Sequence, residues 1–431
     1  MNKTMSIHIP RGTADVLPGE VELWQFIEQK SRDLCQRFNY KEIRTPIFEH
    51  TELFQRGVGE TTDIVEKEMY TFQDKGGRNI TLRPEGTAAV VRSFAEHKLF
   101  GDPNQPVKLY YIGPMFRYER PQAGRMRQFT QFGVEALGSY DPSIDAEVIA
   151  LAMGLYEELG IHDLRLEVNS VGCNTCRPVH RDHLVQHLGE RREELCADCQ
   201  SRFDRNPLRI LDCKAEKCKE ITKQAPNITE HLCDDCSPNF EQVKEHLTRL
   251  GIAYHVNPRM VRGLDYYTQT AFEIMAEGFG AITTICGGGR YNGLVESIGG
   301  HDSPGIGFAM SIERVLLTLQ SQKIELPVKR ELDCYVVAVG EQAEKEAVCI
   351  LNKLRKHGLR ADKDYQGRRM RAQFKAADRN QARVTLIIGD DELEKGIAVV
   401  RTMATGEQQE VNLNEVVNFI ATNMNTIEEE K

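Results

Sequence analysis

Residues 115–135 read MFRYERPQAGRMRQFTQFGVE. Four arginines, Arg117, Arg120, Arg125 and Arg127, fall within residues 117–127, and the stretch closes on alternating Phe129, Gln131, Gly133 and Glu135. Strand side chains alternate between two faces, so these last four share a face, as do Arg117 and Glu119. Taking residues 109–119 and 127–137 as antiparallel neighbours joined by the loop RPQAGRM, one surface carries a cation, an aromatic ring, an amide and two carboxylates. Gly133 leaves room above the backbone. That is a poor core face and a suitable pocket floor for a small molecule bearing both signs of charge. Arginine grips phosphate or carboxylate through a bidentate fork that lysine lacks. The plain alternative is a solvated hairpin with weak surface ion pairs.

Other chemistry-bearing residues lie further along. Eight of the 12 cysteines sit in residues 173–236. Cys173/Cys176, Cys196/Cys199 and Cys233/Cys236 are C-x-x-C pairs, and Cys213/Cys218 is a wider fourth. Two such pairs make one tetrahedral zinc site, and buried or free thiols are the other reading. No cysteine is placed for catalysis. RGLDYYTQTAFEI (262–274) carries Arg262, Tyr266 and Tyr267; the tyrosines alone would read as core aromatics. CGGGRYNGL has enough glycine to bring backbone close to a ligand, with Arg290 beside it, or else it forms a tight turn. Near the end, Arg368, Arg371, Lys375 and Arg379 fall three or four apart and stripe one face of a helix, for phosphates or for solvent.

These residues need elements to hold them. Apolar spacing predicts a helix over 21–38. YKEIRTPIF reads as a strand with Pro46 at an edge. NITLRPEGTAAVVRSFAEH reads as strand, turn and helix, with Thr87 as N-cap. The arginine hairpin follows, then a helix ending at Gly160, the strand LRLEVNS, the cysteine-rich stretch and a helix over 240–250. GIGFAMSIERVLLTL opens with glycines and becomes helical. Past the linker SQKIELPVKREL, strands and helices alternate over about a hundred residues, as in a small α/β domain.

The totals set bounds. A chain of 431 residues exceeds one compact core, so two or three domains are expected. A net charge of -9 excludes coating nucleic acid by bulk charge and leaves only local basic patches. No run of eighteen apolar residues suggests a membrane span, and the N-terminus lacks an apolar signal core. The cytosol is the expected compartment, where clustered cysteines mean metal ligands or thiols, not disulfides.

Several stretches together resemble a known family. FRYE, the loop and RQF look like motif 2 of the class II aminoacyl-tRNA synthetases, and GIGFAMSIER (305–314) looks like motif 3. The helix and strand ending near Pro46 are similar to motif 1, the dimer motif. RGLDYYTQTAFEI resembles the histidine-specific signature of the histidyl-tRNA synthetases, and TLRPEGTA their amino-acid loop. The resemblance covers essentially the whole chain, in the bacterial-type arrangement. It implies an α+β fold: a class II synthetase antiparallel-sheet catalytic core over 1–325, a small Cys-rich insertion domain at 173–238, and a C-terminal mixed α/β anticodon-binding domain at 331–425. It implies a cytoplasmic homodimer that joins L-histidine to histidine tRNA with ATP and Mg2+.

Residue roles come with the resemblance. Arg117 and Arg262 would be catalytic, flanking the α-phosphate. Arg117, Glu119, Arg125, Phe129 and Arg314 would bind ATP, with adenine between Phe129 and Arg314. Glu85, Thr87 and Gln131 would take the histidine ammonium end; Glu135 and Tyr267, with Tyr266 beside them, would read the ring; Arg117 would bridge the histidine carboxylate and the α-phosphate; and Gly86 and Arg262 would complete the histidine site. Arg120, Gln122 and Arg127 would meet the tRNA acceptor end. The cysteine region matches the family's insertion domain, which many relatives build without these cysteines. The alternative from another class is a synthetase-like, histidine-sensing regulatory subunit. Such paralogues tend to lose the ATP arginines and the last domain, whereas Arg117, Arg125, Arg262 and Arg314 all stand here.

Overall fold

The computed structural model describes residues 7–59, 62–276, 283–328 and 331–429, omitting side chains at 283 and 424–429. Parts of the N-terminal stretch, the linker and the acidic tail lie outside the described residues. The chain divides into two compact units, Met1–Leu326 and Pro327–Lys431.

An eight-stranded sheet organises the first unit. Its order is Lys41–Glu42, Val107–Phe116, Gln128–Leu137, Gly305–Ser311, Thr283–Arg290, Thr268–Ala276, Leu164–Ser170 and His255–Val256. The six inner strands run antiparallel, and the two-residue edge strands pair in parallel. Alternation in sequence explains the two faces. Phe132, Val134, Ala136, Ile306, Phe308, Met310, Phe272 and Ile274 share the main core with helices Val21–Arg37, Pro142–Glu158, Cys236–Arg249 and Ile312–Ser321. The opposite face keeps Gln131, Gly133, Gly307 and Ala309, residues too small or too polar to fill a core, so a cleft opens there. Helix Thr87–Glu96 packs beside that cleft on Val90, Val91 and Phe94.

The structure refines several expectations. YKEIRTPIF is not one strand: Lys41–Glu42 joins the large sheet and Phe48–His50 a separate three-stranded sheet, because Pro46 interrupts the ladder. Thr87 is the first helical residue, not the N-cap. The Glu85 carboxylate supplies the cap, accepting from the Thr87 and Ala88 amides at 2.8 and 2.7 Å. The glycine run is no turn; Gly287, Gly288 and Gly289 lie within the inner strand Thr283–Arg290.

The insertion is a set of short helices, chiefly Cys176–Gly189, Ala197–Arg205 and Glu216–Thr222, around a small core that includes Leu184, Leu188, Phe203 and Ile210. The second unit has a five-stranded mixed sheet ordered Ala361–Lys363, Cys334–Val339, Val384–Gly389, Ile397–Thr402 and Gln408–Asn412. Its last two strands form an antiparallel pair that sequence reading did not identify. The basic helix begins at Met370, so Arg371, Lys375 and Arg379 are exposed on it, whereas Arg368 precedes it and pairs with Asp364.

Candidate active site

The arginine hairpin forms in the expected register. Met115 faces Phe129, Gly113 faces Gln131 and Tyr111 faces Gly133. The strands end at Phe116 and Gln128, and the Arg117 amide extends the ladder by donating to the Arg127 carbonyl at 2.9 Å. Above this face lies a cleft of about 210 Å³. Arg117, Glu119, Arg125, Phe129 and Arg314 line one part of it; Glu85, Thr87, Gln131, Arg262, Tyr266 and Tyr267 line the rest.

The first part is built for an anion. The Arg117 guanidinium lies 5.3 Å from the Phe129 ring centre, and its Nε donates to the Pro84 carbonyl at 2.8 Å. Glu119 sits between Arg117 and Arg125, at 3.8 and 3.7 Å, and lines this part of the cleft with them. Arg314 donates to the carbonyls of Thr284 and Gly124 at 2.6 and 3.1 Å, which points it into the cleft from the strand-to-helix corner. Burial, and then the Arg125 charge, lower its pKa. Like charges held together in a cleft favour a polyanionic ligand.

The second part suits a zwitterion. Glu85 is buried, and desolvation raises its pKa. Glu135 does not line the cleft; it lies fully buried just beneath. It accepts from the Thr87 hydroxyl at 2.7 Å and from the Tyr291 hydroxyl at 2.6 Å, both on cleft-lining residues. Burial raises its pKa to about 8. Arg262 pairs with Glu273, and its guanidinium lies 4.9 Å from the Tyr267 ring centre. Burial opposes its charge, but Tyr267 and Glu273 outweigh burial and raise its pKa. The Gln131 side-chain oxygen and Arg262 Nε are buried without a hydrogen-bond partner among the described residues. Unpaired buried polar atoms aimed at a cleft point to a polar ligand. Gly86 abuts the Tyr111 ring, which a Cβ there would overlap.

The loop arginines divide. Arg120 and Gln122 are exposed, and Gln122 and Arg125 exchange backbone hydrogen bonds of 3.1 and 2.9 Å across a tight turn. Arg127 stacks 3.8 Å from the Tyr118 ring centre and leaves the cleft. A larger cavity of about 900 Å³ is lined by Gln122, Arg125 and Arg314 and by the insertion's Lys214 and Lys219.

One expectation fails. Arg290 is not near a ligand: it is fully buried, donating from Nε to both oxygens of Asp145 at 2.9 Å and to the carbonyls of Ser139 and Asp141. A buried guanidinium needs such a partner set, and the first turn of helix Pro142–Glu158 with the residues before it supplies one. Conversely, sequence reasoning missed Tyr291, Tyr111 and Glu273. Tyr111 was within reach, since the hairpin register sets it opposite Gly133. Tyr291 and Glu273 come from other strands, and no local pattern reveals them.

The cysteines gather as two sets: Cys173, Cys176, Cys233 and Cys236, and Cys196, Cys199, Cys213 and Cys218. Within each set all the sulfurs lie within 4.8 Å of one another.

A family model described as histidyl-tRNA synthetase matches residues 12–315, and one described as an anticodon binding domain matches 333–423. The chain is 62% identical to a histidine–tRNA ligase of Geobacillus sp. (strain WCH70) over 418 residues, 96% of this chain and 99% of the relative. It is 59% identical to that of Bacillus cytotoxicus over 419 residues, 97% and 99% of the two chains. The crystal structure of apo S. aureus histidyl-tRNA synthetase superposes with a TM-score of 0.83 at 49% identity, covering 96% of this chain and 100% of that one.

Proposed function

Because the chain belongs to the histidyl-tRNA synthetase family, we propose that the cleft activates L-histidine with ATP and passes it to histidine tRNA. Near-full coverage by ligases favours this over a regulatory, histidine-sensing role. The observation that carries the reading is convergence. Arg117 and Arg125 of the hairpin, Arg262 ahead of strand Thr268–Ala276 and Arg314 on helix Ile312–Ser321 come from three separate places in the chain, and they line one cleft with Glu85, Gln131 and Tyr267.

In the first step the histidine carboxylate attacks the α-phosphorus of ATP. The bond to the β-phosphate breaks, and pyrophosphate leaves with the electron pair. In the second step the terminal ribose 3′-hydroxyl attacks the activated carbonyl and gives up its proton to the adenylate phosphate, and the acyl–phosphate oxygen bond breaks so that AMP departs with the electron pair. Both need positioning and neutralised charge above all. Arg117 and Arg262 take opposite sides of the α-phosphate and let one anion approach another. For Arg262 this means exchanging Glu273 for substrate. Phe129 and Arg314 hold adenine between them, Glu119 accepts from its amino group, and Arg125 reaches the outer phosphates. Magnesium arrives as part of the nucleotide substrate. Glu85, Gly86, Thr87 and Gln131 bind the ammonium end, the orphaned Gln131 oxygen accepting from it. Tyr267 reads the imidazole with Tyr266 packed beside it, and Glu135 reads it from beneath the cleft floor by exchanging its Thr87 or Tyr291 hydroxyl for a ring nitrogen. A site that pairs both ring nitrogens rejects side chains lacking them by about 10⁴-fold or more.

Arg120, Gln122 and Arg127 meet the acceptor end of the tRNA, with the larger cavity leading toward the insertion. The exposed Arg371, Lys375 and Arg379 meet phosphates near the anticodon. The molecule works as a cytoplasmic homodimer; exposed Ile47, Phe48 and Phe72, at 45, 57 and 49%, cluster around the three-stranded sheet where the dimer motif ends. Among the described residues no helix is long and apolar enough to cross a membrane. The cysteine sets stand outside this chemistry, and zinc held there would brace the fold.

The test is ATP–pyrophosphate exchange with each of the twenty amino acids. Stimulation by histidine alone is expected, and none or another amino acid overturns the reading. In the same assay Arg262→Ala should lower kcat by about 10²- to 10³-fold with little change in histidine affinity. Equal loss of both would remove Arg262 from the reacting centre.

A further inference from the structure

The two cysteine sets have a geometry that free thiols do not require. Four sulfurs bound to one zinc ion at about 2.3 Å stand about 3.8 Å apart along the edges of a tetrahedron. The separations in the structure are 3.6 Å for Cys173–Cys176, 3.8 Å for Cys173–Cys233 and 3.8 Å for Cys196–Cys213. Disulfide sulfurs would lie at about 2.05 Å. Iron–sulfur clusters place one thiolate on each of four irons, or two on each of two irons, and spread the four cysteine sulfurs further than the 4.8 Å that bounds each set here.

The backbone also treats the sulfurs as acceptors. The Cys233 amide donates to Cys176 Sγ at 3.1 Å and the Thr175 amide to Cys173 Sγ at 3.3 Å. In the other set the Cys196 amide donates to Cys218 Sγ at 3.3 Å. Such outer hydrogen bonds offset thiolate charge around a metal. Cys35, Cys286 and Cys334, by contrast, are buried and belong to neither set.

Each set occupies a place where the fold needs a clamp. The chain leaves the large sheet at Ser170 and returns at helix Cys236–Arg249. Cys173 and Cys176 sit on the outgoing crossing, Cys233 and Cys236 on the returning one, so the first set closes the neck of the insertion. The second set joins helix Ala197–Arg205 to helix Glu216–Thr222 inside the insertion, where Cys199 and Cys218 are fully buried in its small core. A core of that size is the kind that a structural metal completes.

We propose that the chain carries two independent zinc ions, one on Cys173, Cys176, Cys233 and Cys236, the other on Cys196, Cys199, Cys213 and Cys218. Each thiol gives its proton to solvent on binding, each site takes one Zn2+, and no oxidant or reductant is involved. This holds whatever amino acid the cleft activates.

The experiment is native mass spectrometry with elemental analysis of the full-length protein after dialysis against metal-free buffer. Two zinc ions per chain are expected. Cys173→Ser and Cys196→Ser should each retain one, and the double variant none. Fewer than two in the wild type, or iron in place of zinc, overturns the proposal. Loss of both ions from either single variant while it stays folded by circular dichroism overturns their independence. A variant that does not fold leaves the wild-type stoichiometry to decide.

Discussion

Glu135 shows how one residue's surroundings shape the site. Its carboxyl is fully buried, and burial raises its pKa to about 8. The fold therefore favours the neutral acid. The stability it lends is complete below its ordinary value near 4.5 and is lost as pH rises through about 8. Free histidine's ring titrates near about 6.5. Between these limits enzyme and substrate bring one shared proton, and binding needs none from water. Below the lower limit binding must release a proton; above the upper one it must gain one. The kcat/KM for histidine in the exchange assay should therefore be bell-shaped, with flanks near about 6.5 and about 8. Glu135→Gln should remove the upper flank, and an upper flank that survives would detach Glu135 from ring recognition. The shared face of Phe129, Gln131, Gly133 and Glu135 was legible in the sequence because a strand's period is two. Glu135's partner Tyr291 stayed hidden, since pairing across two further strands leaves no mark on local pattern.

Among the elements, strand Gly305–Ser311 shows why small residues floor the cleft. Its Ile306, Phe308 and Met310 fill the core, and Gly307 lies opposite Glu135 on the other face. A Cβ at Gly307 would overlap the Glu135 carboxylate and the Val134 carbonyl. Gly307→Ala should displace Glu135 or the strand and destabilise the protein by about 1–3 kcal/mol. Exchange activity should fall more steeply than the melting temperature; unchanged histidine KM would mean that the strand tolerates the methyl group. This strand and its helix were legible as glycine-rich then helical. The glycine run of Thr283–Arg290 left a close backbone approach and a turn both open, because glycine marks either; it is a strand, and Gly287 lines the cleft. The buried Arg290–Asp145 pair was invisible for a related reason: 145 residues separate its members.

At the scale of the whole molecule, every residue of the cleft belongs to Met1–Leu326. A chain ending at Leu326 should retain histidine-dependent exchange within about tenfold and lose aminoacylation by about 10²-fold or more, a separation worth about 1.4 kcal/mol per factor of ten. Parallel loss of both activities would mean that the second unit supports the first step. The change of grammar near residue 327 was plain in the sequence, since alternating strands and helices follow it. The grouping of cysteines was not: spacing offers pairs, and only the return of the chain to the sheet decides which pairs meet.

The Gln131 oxygen and Arg262 Nε remain without hydrogen-bond partners among the described residues. Such atoms tax the unliganded fold until an amino acid completes them. At a hundred times its dissociation constant, a ligand that binds only the native chain adds about 2.7 kcal/mol of resistance to unfolding. Starvation for the nutrient would then expose the same chain to heat and proteases, so that its lifetime would follow the supply of what it consumes.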